Sequence, residues 1–268
     1  MTIHYHGTPI SPRSQLLELA GRFFCVSYAS PQDVRVCHES GQGILLDNGA
    51  FTHWKKGLPG YGEIGDLNGH FRGTILSPVY RKYVDWCREW TAYPTTWAII
   101  PDSINGDAEL NQRLVDEWPV NEIGVHQAAP VWHLHESIDR LRSLINGKMK
   151  WPRVCIGSSG EYAVVGSDRW RRRMDVVFNR ITDHSGRVPC WLHMLRGMSL
   201  AGDLYPFASL DSTDVARNHN RGGNIVERVN RWDRVQCPKL FHLKMEQQDL
   251  LPSSDSSLSS GSATTGIH

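Results

Sequence analysis

The sequence predicts an α/β fold, a compact TIM-like (β/α)8 barrel, and three observations carry this prediction. Short apolar runs of strand length alternate with longer segments of helical periodicity, the order typical of a parallel sheet with helical crossovers. The runs are continuously apolar, as in strands that are buried on both faces. About eight runs are present, the strand number of such a barrel, and 268 residues are sufficient to form one.

Each predicted strand is a short apolar run next to polar residues, glycine or proline. In chain order, the predicted strands are Phe23–Tyr28, Ile44–Phe51, Thr96–Pro101, Ala129–Leu134, Arg153–Gly157, Cys190–Leu195, Phe207–Asp211 and Lys239–Leu243.

Four intervening segments carry apolar residues at the spacing of an amphipathic helix. The predicted helices are Val79–Trp90, Asp107–Trp118, Ser137–Ile145 and Ser167–Ile181. Ser167 and Asp168 form a capping pair before the last of these helices, and Asn105-Gly106 is a cap for the second. The glycine-rich segment Thr52–Ser77 is weakly patterned, so we expect a long loop or an active-site lid there.

The composition is that of an ordinary globular protein, with 40% hydrophobic and 21% charged residues, which excludes a wholly disordered, collagen-like or coiled-coil chain. Residues 1–252 are predicted to form a single barrel domain, and the Ser-rich residues 253–268 are predicted to form a disordered tail.

The formal net charge of +1 gives no global basic field, so any nucleic-acid surface must be a local patch. Since no signal peptide or membrane-length apolar run is recognisable, and no C-x-x-C pair occurs, we expect a cytoplasmic protein without a membrane partner.

Polar residues follow most of the predicted strands, at the end where barrel enzymes place their active sites. In chain order these residues are Asp47 and Asn48, then Asp102, then His133, His135 and Glu136, then Gly157, Ser158 and Ser159, then His193 and Arg196, and finally Asp211. Carboxylates that share a pocket push their pKa values apart, which acid–base or nucleophilic catalysis requires. The pattern therefore predicts an enzyme and leaves the reaction open.

Each of these residues also has a purely structural interpretation. Asp47 could form the turn of its Asp-Asn-Gly string, and Asp102 or Asp211 could cap the helix that follows it. His133 and His135 could be buried histidines that only satisfy their own hydrogen bonds. These alternatives remain open at the level of the residues alone.

Five strings follow one another between Leu45 and Arg221, over about two thirds of the chain: LLDNGAF, AIIPDS, VCIGSSGEYAV, LHMLRG and LDSTDVARNHNR. They resemble five motifs of the tRNA-guanine transglycosylase superfamily, in the family's order. LLDNGAF resembles D-S-G-G-F/Y, AIIPDS resembles the second aspartate strand, and VCIGSSGEYAV resembles V-G-G-L-A-V-G-E. LHMLRG resembles Y-L-M-G-V-G, and LDSTDVARNHNR resembles F-D-x-x-x-P-T-R-x-x-R-N. The string PVWHLHES and the short barrel look most like the DNA-acting branch, the DpdA-type 7-deazaguanine DNA transglycosylases of phages and bacteria.

The resemblance implies an exchange of guanine in DNA for a 7-deazaguanine, of the 7-cyano-7-deazaguanine (preQ0) type, through a covalent aspartyl-nucleotide intermediate. Asp211 matches the nucleophile that attacks the anomeric carbon of the sugar. Asp47 matches the general acid/base that handles the proton of the departing and entering bases. Asp102 matches the aspartate that hydrogen-bonds the edge of the purine.

The resemblance also implies how the base is held. Gly157 and Ser158 match backbone groups that recognise the carbonyl of the base. Phe51 and Met194 match the two side chains that sandwich it, through aromatic stacking and a polarizable thioether. His133 or His135 falls near a family glutamine that helps to read the base, and the phase of the strand favours His133.

Further contacts are expected around this site. His193, which ends a predicted strand, is placed among the substrate-binding residues. Arg217 matches a family arginine that contacts phosphate, and Asn218 and Arg221 follow it in the same Arg-rich stretch. The earlier run Arg169–Arg173 is more typical of a solvated helix face.

The chain departs from the tRNA enzymes at its C-terminal end. Those enzymes carry a zinc site of three cysteines and a histidine, whereas here only one cysteine, Cys237, follows Arg217, with His242 nearby. We therefore expect no zinc subdomain, no metal and no cofactor, and DNA rather than tRNA as the nucleic-acid partner.

Three rival functions remain open. The first is the tRNA branch of the same superfamily. The second is a metal-dependent hydrolase on the same barrel, with His133, His135, His193 and Asp211 as ligands. The third is a catalytically dead binding module, which the presence of both Asp47 and Asp211 argues against. The oligomeric state and the deazapurine inserted are left open.

Overall fold

The structure is a computed structural model that describes residues 1–57, 77–104 and 108–243. Within those residues, nine parallel strands form a nearly closed barrel with helices packed on its outer face. The α/β barrel architecture predicted from the sequence is therefore confirmed. Among the described helices, none is both long enough and apolar enough to cross a membrane.

The strands are short, as expected for a barrel of this kind. They are β1 Ile3–Gly7, β2 Phe23–Ser27, β3 Gly43–Asp47, β4 Thr96–Ile99, β5 Ala128–Ala129, β6 Val131–His133, β7 Arg153–Gly157, β8 Trp191–Met194 and β9 Ser209–Ser212. The helices are α1 Arg13–Leu17, α2 Val34–Ser40, α3 Ala50–Lys55, α4 Pro78–Thr91, α5 Ala108–Asp116, α6 Ile138–Asn146, α7 Asp168–Ile181, α8 Asp214–Asn218 and α9 Ile225–Asp233.

The four helices predicted from periodicity correspond to α4, α5, α6 and α7. The predicted loop Thr52–Ser77 is helical in its first residues, which belong to α3, and most of its remainder lies outside the described residues. The predicted cap at Asn105-Gly106 and the predicted tail at residues 253–268 also lie outside them.

The strand order is β5-β4-β3-β2-β1-β9-β8-β7-β6. Its two ends, β5 and β6, are consecutive in sequence and separated only by Pro130. Proline has no N–H to donate to a neighbouring strand, but the carbonyl of Pro130 still accepts from the backbone N–H of Cys155, at 2.9 Å. The chain thus passes directly from one end of the strand order to the other.

One predicted strand is wrong, and one strand was not predicted. Lys239–Leu243 is irregular; its Phe241 ring packs on Phe178, with the ring centroids 5.2 Å apart, instead of joining the sheet. The missing position is taken by β1, which pairs with both β2 and β9. Because His4 and His6 interrupt the apolar pattern of β1, it does not look like a buried strand.

Side chains alternate between the barrel interior and the layer under the helices, as the two-residue period of a strand requires. On β7, Cys155 belongs to the interior cluster, whereas Val154 and Ile156 belong to the outer cluster. Tyr5 and Trp97 also fill the interior, where the indole N–H of Trp97 donates to the Tyr5 hydroxyl at 2.8 Å. This filled interior forms a solid floor under the C-terminal ends of the strands.

The N-cap of α7 offers a direct test of the capping signal in the sequence. The Ser167 hydroxyl accepts from the backbone N–H of Trp170, a buried residue. We expect Ser167→Ala to lower the free energy of unfolding by about 1 kcal/mol, because an N–H at the helix start loses its acceptor. The measurement is urea unfolding. Ser143→Ala, an exposed serine within α6, is the matched control and should change the value by less than about 0.5 kcal/mol.

Candidate active site

The C-terminal ends of the strands surround a cavity of about 200 Å³. Seven residues predicted from separate parts of the sequence line it: Asp47, Phe51, Asp102, His133, Gly157, Ser158 and Asp211. The cavity therefore brings three carboxyl groups, one imidazole and one aromatic ring together in a single site.

Asp47 lies at the end of β3, where the chain turns into α3. Its Oδ2 atom accepts from the backbone N–H of Gly49 at 3.2 Å, and Gly49 has a φ of 74°, a conformation that favours glycine. Asp47 thus forms the turn, as in its structural interpretation, and also lines the cavity. Burial raises the pKa of Asp47 to about 6, and the nearby charges of Asp211 and Asp102 add to this effect.

Asp102 is buried, and both of its carboxyl oxygens have partners. The amide of Asn48 donates to Oδ1 at 2.8 Å, and Nε2 of His133 lies 2.8 Å from Oδ2. The two contacts fix the carboxyl plane at the wall of the cavity. Such a carboxyl group can accept hydrogen bonds only from a ligand placed in a defined orientation.

His133 is itself fixed by its surroundings. A Cβ atom at Gly157 would lie 2.5 Å from Nδ1 of His133, so only glycine leaves room for the ring at this point. The backbone N–H of His133 donates to the Glu136 carboxylate at 3.1 Å, and that carboxylate is paired with Arg140 at 2.6 Å. This buried network holds the end of β6 in place.

Asp211 lies at the end of β9. Its Oδ1 atom accepts from the backbone N–H of Arg196 at 2.7 Å and lies 3.3 Å from Nε2 of His193. The residue at the N-cap position of α8 is Thr213, so Asp211 does not cap that helix. Its carboxyl group is held by β8 and faces the cavity.

Ser158 connects the cavity to the outer layer of helices. Its hydroxyl accepts from the indole N–H of Trp170 at 2.9 Å, and its carbonyl accepts from the Arg196 guanidinium at 2.7 Å. The Ser158 backbone is therefore positioned from both sides.

Two predicted substrate-binding residues on β8 do not line the cavity. Met194 is fully buried in the outer cluster, so its prediction as a stacking side chain is corrected: Leu195 and Arg196 line the cavity instead. His193 lies below the cavity, where Nδ1 is 2.8 Å from the Ser209 hydroxyl. His193 contacts Asp211 but belongs to the buried layer beneath the cavity.

The predicted nucleic-acid contacts lie outside the cavity, on α8 and the turn after it. Arg217 and Arg221 are exposed. Asn218 is partly buried and donates to the Asp214 carboxylate at 2.7 Å, which is a helix-internal contact. Their contact with a polynucleotide remains a prediction.

The run Arg169–Arg173 is less solvated than its composition indicates. Arg171 makes two hydrogen bonds to the Asp203 carboxylate, and Arg173 donates to the carbonyls of Leu134 and Glu136. These two arginines connect α7 to neighbouring segments and are structural.

Among the cavity residues without a role assigned from the sequence, Asn48 and Arg196 make the contacts that matter most for the carboxyl groups. Arg196 directly follows the predicted strand Cys190–Leu195, and Asn48 follows the apolar residues of the predicted strand Ile44–Phe51, so their position after apolar residues was the available signal. Asn48 orients Asp102, and among the described lining residues Arg196 is the only one with a permanently charged cation.

The arrangement of potential metal ligands bears on the rival hydrolase. Within residues 1–57, 77–104 and 108–243, no group of three His, Cys, Asp or Glu side chains has a geometry that could hold a metal ion. His133 and His135 stack on each other, with their ring centroids 5.6 Å apart, and His135 contacts the Ser159 hydroxyl.

The raised pKa of Asp47 predicts a pH-dependent change in stability. A carboxyl group whose pKa is higher in the folded state stabilises the fold below its unfolded pKa, near 4, and this contribution is lost as the pH rises through about 6. We expect Asp47→Asn to match the wild type at pH 4 and to be more stable by up to about 3 kcal/mol at pH 8. Urea unfolding at both pH values measures this difference.

The control for this measurement is Asp116→Asn, an exposed carboxyl group on α5. Because this carboxyl group is exposed, the substitution should change the free energy of unfolding by less than about 0.5 kcal/mol. A pH-independent difference between Asp47→Asn and the wild type would contradict the raised pKa.

Comparison of the chain with protein-family models, with curated proteins and with solved structures found no match. The geometry of the cavity and the resemblance of its motifs therefore carry the functional argument.

Proposed function

We propose that this protein is a pentosyltransferase, a DNA transglycosylase that exchanges guanine for a 7-deazaguanine of the preQ0 type. The observation that carries the proposal is the convergence of Asp47, Asp102 and Asp211 on one cavity, beside Phe51 and His133. The three aspartates come from distant segments that resemble three motifs of one family, in the family's order. Their convergence supports the three separate roles that the resemblance implies.

In the first half-reaction, Asp211 is the nucleophile. One of its carboxyl oxygens bonds to the anomeric carbon while the bond from that carbon to the guanine nitrogen breaks and the electron pair leaves with the base. Asp47, protonated in part because its pKa is about 6, gives its proton to the departing guanine. The product is an ester between Asp211 and the nucleotide.

In the second half-reaction, the 7-deazaguanine occupies the position of the departed base. Its ring nitrogen attacks the anomeric carbon, the bond from that carbon to Asp211 breaks, and the proton on the ring nitrogen passes to Asp47. Both aspartates then return to their starting forms, so the exchange is balanced without any co-reactant. No cofactor takes part in either step.

Recognition of the base is assigned to Asp102 and His133. The Asp102 carboxyl group, fixed by Asn48 and His133, accepts hydrogen bonds from the ring N–H and the amine that guanine and 7-deazaguanines share. The backbone of Gly157 and Ser158, which also lines the cavity, is assigned to the carbonyl of the base. Recognition of this pattern explains why one cavity accepts both the leaving and the entering base.

The polynucleotide must present the target base outside the stack, because a base within a duplex cannot reach an enclosed cavity. Trp54, half exposed on α3 and 5.7 Å from Phe51 between ring centroids, is placed to stack on a neighbouring base. Arg217, Asn218 and Arg221 are assigned to the phosphate backbone.

We further propose that β5 and β6 count as one strand interrupted by Pro130, which gives the (β/α)8 arrangement. We also propose that the enzyme acts in the cytoplasm.

The test is to incubate the purified protein with labelled guanine or labelled 7-cyano-7-deazaguanine, separately with DNA and with tRNA. We expect incorporation of label into DNA. Incorporation only into tRNA would assign the protein to the tRNA branch instead. Absence of label in both nucleic acids, and of any covalent adduct, would overturn the proposal.

A further inference from the structure

Arg196 has a conformation that its role as a strand-end residue does not require. Its φ is 57°, in the left-handed region, where non-glycine residues are uncommon and cost about 1–3 kcal/mol. The conformation is held by its backbone N–H, which donates to Asp211 at 2.7 Å. The strained backbone therefore couples the direction of the Arg196 side chain to the position of the Asp211 carboxyl group.

The side chain of Arg196 contacts two separate parts of the cavity lining. Its guanidinium donates to the carbonyl of Ser158, at the end of β7, and lies 4.5 Å from the ring centroid of Phe51, which belongs to α3 after β3. In the strand order, β3 and β8 are separated by three other strands, so Arg196 bridges distant parts of the rim. The guanidinium lies over one face of the Phe51 ring, and both residues line the cavity.

A planar ligand cannot lie against Phe51 while the guanidinium occupies that face, because a separation of 4.5 Å leaves no room for a third group. We infer that Arg196 is a specificity-determining residue: it withdraws from Phe51 when a planar base enters, and then stacks on the second face of that base. This inference rests on the proposed function, and it gives Arg196 the stacking role that Met194 cannot have from the outer cluster.

The chemistry of the guanidinium suits this role. It is planar, permanently charged and weakly hydrated, and it stacks on aromatic faces, whereas a lysine ammonium is a compact charge without a plane. Three carboxyl groups share the cavity with Arg196, so the cation remains favourable there after it leaves Phe51. Withdrawal also frees the Ser158 carbonyl, which can then accept a hydrogen bond from an N–H of the base.

The experiment measures the binding of guanine, 7-cyano-7-deazaguanine, adenine and uracil to the full chain by calorimetry, with association rates from stopped flow. The variants are Arg196→Ala and Arg196→Lys, and Arg172→Lys, an exposed arginine on α7, is the matched control. We expect both Arg196 variants to bind the purines about tenfold more weakly, and Arg196→Ala to associate faster than the wild type because no guanidinium has to leave the Phe51 ring first. The control should behave as the wild type does.

Several results would overturn the inference. Unchanged affinity of both Arg196 variants for the purines would exclude a stacking role for Arg196. Tighter binding of the purines by Arg196→Ala would show that Arg196 only blocks the cavity. Absence of binding of every planar ring by the wild type would overturn it as well. Binding of purines that depends on Arg196, without base exchange in DNA or tRNA, would support this inference and contradict the proposed function. Base exchange that proceeds equally well in the Arg196 variants would support the proposed function and contradict this inference.

Discussion

Replacement of Asp211 by asparagine is expected to abolish the covalent nucleotide adduct and to lower the rate of base exchange by roughly 10⁴-fold or more, the scale observed when a covalent nucleophile is removed. Asparagine has nearly the same shape, and its carbonyl oxygen can still accept from the backbone N–H of Arg196. The loss is therefore one of nucleophilicity. Gel analysis of denatured reaction mixtures for protein-bound DNA measures it directly.

The same substitution separates chemistry from folding. Three carboxyl groups line one cavity, so removal of one charge relieves repulsion, and the melting temperature of Asp211→Asn should not fall below that of the wild type. The negative charge of Asp211 also raises the pKa of Asp47, so the variant should titrate Asp47 at lower pH. An adduct that forms on Asp211→Asn at the wild-type rate would exclude Asp211 as the nucleophile.

Replacement of Asp47 by asparagine is expected to slow exchange by about 10²–10⁴-fold, the usual contribution of a general acid or base. In the wild type the two half-reactions should depend on pH in opposite directions. Adduct formation uses the protonated Asp47 and should slow as the pH rises above about 6. Discharge of the adduct by the incoming base uses the ionised Asp47 and should slow as the pH falls.

The proposed reaction is expected to change the pKa of Asp47. When Asp211 becomes an ester it loses the charge that helped to raise this pKa, so Asp47 becomes a stronger acid at the stage where the ionised form is needed. Single-turnover rates of each half-reaction between pH 5 and pH 8 test this, with Asp116→Asn as the control. Parallel pH profiles for the two half-reactions, or an Asp47→Asn variant with the wild-type profile, would contradict the assignment.

The architecture follows from the sequence to the extent that local patterns determine it. Helices such as Asp168–Ile181 have an unambiguous period and a serine cap, and the interior strands are apolar on both faces. The strand Ile3–Gly7 could not be recognised in this way, because His4 and His6 lie in it and contact Asp233 of α9. Its place in the sheet depends on pairing with distant segments, which no local window contains.

The cavity residues that end strands could be anticipated, but the orientation of side chains could not. A continuous apolar run looks the same whichever of its residues face the interior, so Met194 and Leu195 were equally plausible as cavity residues. The observed alternation puts Met194 under the helices and Leu195 in the lining. The position of the Arg196 guanidinium over Phe51 depends on a left-handed backbone that the sequence does not signal.

The pairing of β1 with β9 has a consequence for synthesis on the ribosome. Ile3 lies beside Ser209, so one edge of β1 remains unpaired until β9 has been synthesised. Until then, the nascent chain presents unpaired backbone groups on β1, where a chaperone or another nascent chain could bind. Asp211 is part of β9, so the proposed nucleophile reaches its position only when β9 pairs with β1, and a nascent chain that lacks β9 cannot carry the complete site.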